Sequence, residues 1–239
     1  MNQKGLISAA VLLCLNAMCV MAEEKTWTWD TEAGYVKTTG NSRSTSANAG
    51  MKFINKWKDY LLTLKGNHIS ANQDKKQSAE SYSASEKLDR LLNKKLYIYE
   101  LLGWEKDRFA GIDRRYNGQL GGGYKIFNTQ KHKLDGELGA DYTDEKYLNG
   151  TDDNFSSWIA NLKYVYIFTD KSDFSQEVEH IQSFDDADDR RTNSITSLTA
   201  ALNNKLALKI AYIVKYDRAP VPGFKKTDTI LTSSIILKL

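Results

Sequence analysis

Cysteine is almost missing from this chain of 239 residues: the two present, Cys14 and Cys19, both lie in the first twenty positions. Downstream there is no thiol for a disulfide or a cysteine metal site. In an oxidising compartment the fold would have to be held by other means. Proline is equally scarce, and Pro220 and Pro222 share one polar stretch near the C-terminus, so no proline interrupts a candidate strand. No segment beyond residue 22 approaches the length of a membrane helix, and mean hydropathy is low, which excludes a helical inner-membrane protein. An excess of one charge is missing too. Thirty-three Lys and Arg face 30 Asp and Glu for a formal charge of +3, a balance that gives no case for nucleic acid. The three histidines, His68, His132 and His180, have no metal-ligand spacing, and no cofactor is expected.

What is present begins with an export signal. Lys4 supplies a positive start, Leu6 to Val20 an apolar stretch, and Val20-Met21-Ala22 a cleavage site before Glu23. The expected arrangement is a cleaved signal peptide over 1–22 and a single mature domain over 23–239. A lipoprotein is disfavoured, because Asn16, Ala17 and Met18 before Cys19 make a poor lipidation box.

The mature chain alternates. In WTWDTEAGYVK, Trp27, Trp29, Ala33 and Tyr35 share a face against Thr28, Asp30 and Glu32. In KLDGELGADYTDE, Leu134, Leu138, Ala140 and Tyr142 oppose Asp135, Glu137, Gly139 and Asp141. In LALKIAYIVKY, the even positions from Leu206 to Tyr216 oppose Lys209 and Lys215. About twelve such segments follow one another, each with period 2. Short connections (55–59, 93–95, 128–132, 169–172, 203–205) alternate with longer polar ones (70–80, 107–115, 146–154, 184–191, 217–226). Aromatics gather at segment ends: Trp57, Tyr60, Tyr97, Tyr99, Tyr124 and Phe127 near short turns, Trp104, Phe109, Tyr142, Tyr147, Phe155 and Trp158 near long loops. Two interfacial girdles give this distribution.

A soluble β-sandwich or lipocalin-like barrel is the alternative. Its inner face would favour Val, Ile and Leu, whereas the polar face here is too charged for a packed core. Lipid outside and a polar lumen inside satisfy both faces, and unpaired backbone groups in lipid cost several kcal/mol each, so the sheet must close. The fold expected is all-β: a closed antiparallel transmembrane β-barrel of about 12 strands in the outer membrane.

Parity then assigns inward residues: Asp30, Glu32, Lys52, Lys65, Lys125, Asp135, Glu137, Asp141, Lys163, Glu177, Glu179, Lys209 and Lys215. The central stretch WEKDRFAGIDRRYNGQLGGGYKIF, Trp104 to Phe127, reads as a hairpin around an external loop carrying Asp107, Arg108, Asp113, Arg114 and Arg115 about Ala110-Gly111. That loop could fold over the mouth of the barrel. Gly118, Gly121, Gly122 and Gly123 suggest sheet curvature or a close approach.

Three strings, TTGNSRSTSANAG (38–50), the central stretch, and KLDGELGADYTDE, resemble the salt-induced outer-membrane protein family, also called YdiY-like, β-barrels of unknown function in Gram-negative bacteria. The resemblance covers nearly the whole mature chain, and DRFAG-x-D-R-R followed by GxGY is its most specific part. It implies a barrel in the outer membrane and brings no catalytic residues. One departure is terminal: such barrels commonly end on an aromatic residue read by the barrel-assembly machinery, and this one ends on Leu239.

Function follows from the lumen. The first expectation is a narrow channel for ions or small polar solutes, linked to osmotic or salt conditions. The second is a non-conducting interaction barrel that binds lipopolysaccharide through Arg108, Arg114, Arg115, Arg190 and Arg191. An enzyme is not expected. The nearest enzymatic case is a lipid hydrolase using His180 with Ser175 or Ser183, and no constellation with the needed geometry repeats. The acidic run Asp185, Asp186, Asp188 and Asp189 reads as a solvated loop, with divalent cation or lipopolysaccharide contact as a lesser alternative.

Overall fold

A computed structural model describes residues 26–38, 44–73, 76–108 and 110–238. The expected signal peptide, Phe109 and Leu239 lie outside the described residues. Twelve strands follow in order: β1 (Thr26–Thr38), β2 (Ser44–Trp57), β3 (Tyr60–Gln73), β4 (Lys76–Leu91), β5 (Leu96–Asp107), β6 (Ile112–Asn128), β7 (His132–Tyr147), β8 (Asp152–Thr169), β9 (Ser172–Ser183), β10 (Arg190–Ala201), β11 (Leu206–Asp217) and β12 (Thr227–Lys238). Each pairs antiparallel with its sequence neighbours, and β12 closes on β1. Closure leaves no strand edge to meet lipid. The seam is short: β1 pairs with β12 only from Asp30 to Ala33, whereas it pairs with β2 from Thr26 to Thr38.

The period-2 alternation becomes the two faces of the wall. Along β6 and β7, Tyr116, Leu120, Tyr124, Leu138 and Tyr142 are exposed outward. Gln119, Asp141, Thr143 and Glu145 are buried inward. Both faces come from one backbone geometry, because successive side chains leave a strand on opposite sides.

The strands are longer than the sequence suggests. They run from 12 residues to the 18 of β8, against the 9–11 or so that cross a bilayer. The polar stretch 70–80, expected as a loop, is taken up by β3 and β4 except for 74–75. The expected nine-residue loop Asp107–Arg115 shrinks to 108–111, because β5 continues through Asp107 and β6 starts at Ile112. Polar alternation there is continued sheet, and it pairs as well as any other. Register shifts at Glu105/Asp107 and Ile112/Arg114 mark the same end, where bulges re-aim side chains. The β11–β12 connection, 218–226, remains long and holds both prolines.

Candidate functional site: a charged lumen crossed by ion pairs

A cavity of about 590 Å³ runs inside the barrel, lined from Leu61 and Leu91 near the short turns to Ala110 and Pro220 in the loops. Of the inward residues expected from parity, Lys52, Lys65, Lys125, Asp135, Glu137, Asp141, Lys163, Glu177, Glu179 and Lys215 line it. Lys209 and Glu32 meet each other at 2.8 Å across β12, and Asp30 stands opposite Lys52 in the β1–β2 register.

Near the loop end, charges join into a ring. Lys215 Nζ on β11 donates to Glu105 Oε1 and to Asp107 Oδ2 on β5, each at 2.8 Å. These strands stand half-way round the closed barrel from each other, so the contact spans the full width of the lumen. Glu105 Oε2 also accepts from Arg115 Nη1 of β6 at 2.9 Å. Arg115 Nε donates to Glu145 Oε2 of β7 at 2.6 Å. Arg191 of β10 reaches both Glu145 oxygens, at 2.8 and 3.2 Å, and packs over the Phe155 ring at 4.8 Å. Its Nε lies 3.4 Å from Asp217, back on β11. The Tyr147 hydroxyl donates a hydrogen bond to Glu145 as well. Positive and negative groups alternate around the circuit, which is what allows such burial: the Glu145 side chain is 0% exposed, and an unpaired carboxylate there would be expelled or neutralised. At the rim, burial holds the Asp189 carboxyl above its ordinary value against the pull of Arg191.

The ring changes the account of the central stretch. Asp107 and Arg115, expected on an external loop, are strand residues inside the barrel, because β5 and β6 extend through them. Asp113 and Arg114 are also in β6, with Asp113 3.3 Å from Lys106. Arg108 alone of the five stays in the turn, 2.9 Å from Glu80. Arg115 and Arg191 are both committed to the ring.

Toward the short turns the wall is built differently. Tyr97 and Tyr99, expected in an aromatic girdle, are buried inside instead, since Leu96 and Ile98 take the outward positions. Their rings lie across glycines of the neighbouring strands. A Cβ at Gly123 would sit 2.1 Å from Tyr97 Cζ, one at Gly121 2.7 Å from the Tyr99 ring, and one at Gly139 2.7 Å from the Tyr99 hydroxyl. The glycine run is therefore a floor for two tyrosines. Tyr97 donates to Glu137 Oε1 at 2.7 Å. Lys87 pairs with the same carboxylate and with Asp89, and lies over the Tyr99 ring at 4.7 Å. Lys163 and Glu177 pair across β8–β9 at 3.1 Å, and Asn193 donates to Glu179 at 2.9 Å. Asp141 accepts from Thr143 at 2.7 Å and Asn117 at 3.1 Å. Lys87, Glu105, Glu145 and Arg191 were absent from the expected lumen set. The first three continue the inward parity of their own strands, which was the signal to follow.

The histidines lie on the outer wall against aromatic rings: His68 on Tyr82 at 4.3 Å, His132 near Tyr166 at 4.9 Å, His180 near Trp158 at 5.2 Å. His180 bonds Thr192 at 2.9 Å, while Ser175 bonds Ser197 on the other face of the sheet. Strand parity separates His180 from Ser175 and Ser183, so they form no catalytic pair. Among the described residues no three His, Cys, Asp or Glu side chains come together as a metal-binding set.

A closed antiparallel barrel of twelve strands, apolar outside and charged within, has the fold of the outer-membrane β-barrels. Residues 31–238 match the family described as protein of unknown function, DUF481, and the chain belongs to that family. It is 27% identical to the uncharacterized protein YdiY of Escherichia coli (strain K12) over 188 residues, 79% of this chain and 73% of that one. Among solved structures it is similar to the NanC porin, at 10% identity and a TM-score of 0.50 over 88% of this chain and 97% of that one. It is equally similar to an outer membrane channel from Pseudomonas putida F1, at 14% identity and a TM-score of 0.50 over 92% and 97%.

Proposed function

We propose that this protein is a narrow outer-membrane channel for ions or small polar solutes, held closed or nearly closed by the ion-pair ring at its loop end. The observation that carries this is the charge-lined cavity along the barrel, crossed at one level by Lys215 and Glu105. Porin and channel neighbours of the same fold support it, though at 10% and 14% identity they speak for architecture alone. The expected signal peptide, outer-membrane location, insertion through the assembly machinery and the salt link all belong to this proposal.

Planar-bilayer recording tests it. Wild-type protein should give small or rare openings. Glu105→Gln and Asp107→Asn with Lys215→Met, which removes the crossing lysine together with both carboxylates it reaches, should raise conductance several-fold while the barrel stays folded, since deleting a whole buried ion-pair group is often near neutral for stability. A silent trace from folded wild type and folded triple variant would overturn the channel.

That silent result would favour the second reading, a non-conducting barrel anchored to lipopolysaccharide. The ring's full crossing of the lumen is the observation on its side. With Arg115 and Arg191 committed inside, the anchor would fall to Arg108, Arg114 and Arg190. Neutralising those three should then weaken lipopolysaccharide binding.

A further inference from the structure

Most lumen charges have answered one another. Among the described residues Lys125 has no ion pair but stands opposite Asp135 in the β6–β7 register and lies over the Tyr97 ring at 5.9 Å, whereas two other lysines face each other. Lys52 on β2 and Lys65 on β3 stand directly opposite each other across the ladder and both line the cavity. Among the described residues neither makes an ion pair or a side-chain hydrogen bond, although Lys87, Lys163, Lys209 and Lys215 each hold a carboxylate. Like charges directly opposed on one face of a sheet destabilise it. A pair kept in that position on the cavity wall has a use only when a third party of opposite charge arrives.

We propose that Lys52 and Lys65 form a subsite for a compact anionic group, a carboxylate or a phosphate, inside the lumen. The two ammoniums supply six N–H donors between them, and lysine serves phosphate as a point charge. Thr63, two residues before Lys65 on the same face, and Ser85, opposite Lys65 on β4, add hydroxyls to the same stretch of cavity wall. Straight across the barrel, half-way round the strand order, stands the Lys163–Glu177 pair. Lys163 can turn toward a bound anion there, and Glu177 sets an upper limit on ligand charge and size. The other carboxylates facing this level are Asp30, opposite Lys52, and Glu179, which is held by Asn193. Each moderates the site without filling it. The ring lies between the subsite and the loops, so an anion arriving from outside must pass Lys215 and Glu105, while one arriving from the short-turn side need not.

The subsite rests on the lumen being reachable by solute, as the channel reading requires, and the test separates the two. Folded protein in detergent is titrated with inorganic phosphate and, separately, with citrate, at constant ionic strength set by chloride, and thermal unfolding is followed. Wild type should gain melting temperature with either anion. Lys52→Met with Lys65→Met should lose that gain, and Lys52→Arg with Lys65→Arg, which keeps the charge, should retain most of it. Heat-modifiable mobility on a gel shows that each variant is folded before it is scored. An equal gain in wild type and the methionine variant, or no gain in wild type, would overturn the subsite. Bilayer recording of the same samples tells the two proposals apart. Anion stabilisation without conductance keeps the subsite and removes the channel, whereas conductance without anion stabilisation does the reverse.

Discussion

The loop-end ring and the Lys52–Lys65 pair lie in one lumen, on one sheet, with the same residue types, and they solve opposite problems. In the ring every cation has an anion: Lys215 holds Glu105 and Asp107, Arg115 holds Glu105 and Glu145, and Arg191 holds Glu145 and Asp217. In the pair two cations face each other with no anion bonded to either. The difference teaches where structure ends and recognition begins. A satisfied network can be buried and can cross the barrel. An unsatisfied pair costs stability until a counter-charge meets it. The first comparison to break is the ring's claim to be structural. Glu145→Gln leaves two arginines facing a neutral amide in a fully buried position. Losing one partner of a buried ion pair costs about 3–5 kcal/mol, the largest effect expected here, and urea unfolding in micelles should show it. A loss under about 1 kcal/mol, the range of exposed pairs, would mean the ring is flooded with water and is no barrier.

How much of this was legible in advance depends on distance along the chain. The faces of β7 and β11 were readable from a dozen residues each, because alternation is local and a barrel must close. The ring was not, because its crossing contact joins residues 105 and 215, and nothing local to either specifies the other. The central stretch misled for a related reason. Asp107, Asp113, Arg114 and Arg115 look like a solvated loop when charge is taken to end a strand, but the sheet continues through them and turns alternate charges inward. Tyr97 and Tyr99 misled in the same way. Their position near a turn suggested a girdle, while their parity, opposite that of Leu96 and Ile98, put them inside above glycines that had no local explanation.

Those glycines give the next test, on the short-turn half of the lumen. Gly123→Ala places a methyl group 2.1 Å from the Tyr97 ring, so either the tyrosine or the wall must move. Overpacking of this kind costs roughly 1–3 kcal/mol. Tyr97→Ala should cost stability by itself, through the lost ring and the lost bond to Glu137, yet it should abolish most of the penalty of Gly123→Ala when the two are combined. A double-mutant cycle measures that coupling. Additive effects would mean that Gly123 is there for sheet curvature and that the tyrosine floor is incidental.

The smallest effect is the most diagnostic, because it has the opposite sign. Replacing one lysine of the pair by methionine removes a like-charge contact worth roughly 0.2–1 kcal/mol, so the variant should be more stable than wild type in the absence of an anion. The two positions should differ. Lys52 has Asp30 across the β1–β2 ladder, whose attraction is lost together with the repulsion, whereas the other cross-strand neighbour of Lys65 is the uncharged Ser85. Lys65→Met should therefore stabilise more than Lys52→Met, and the difference should shrink in 1 M salt, where charges separated by more than about 3 Å are screened. Equilibrium unfolding at low and high salt reads both points. If either variant is destabilised at low salt by as much as a ring variant, the lysines are holding the wall together and the contrast between the two regions is gone.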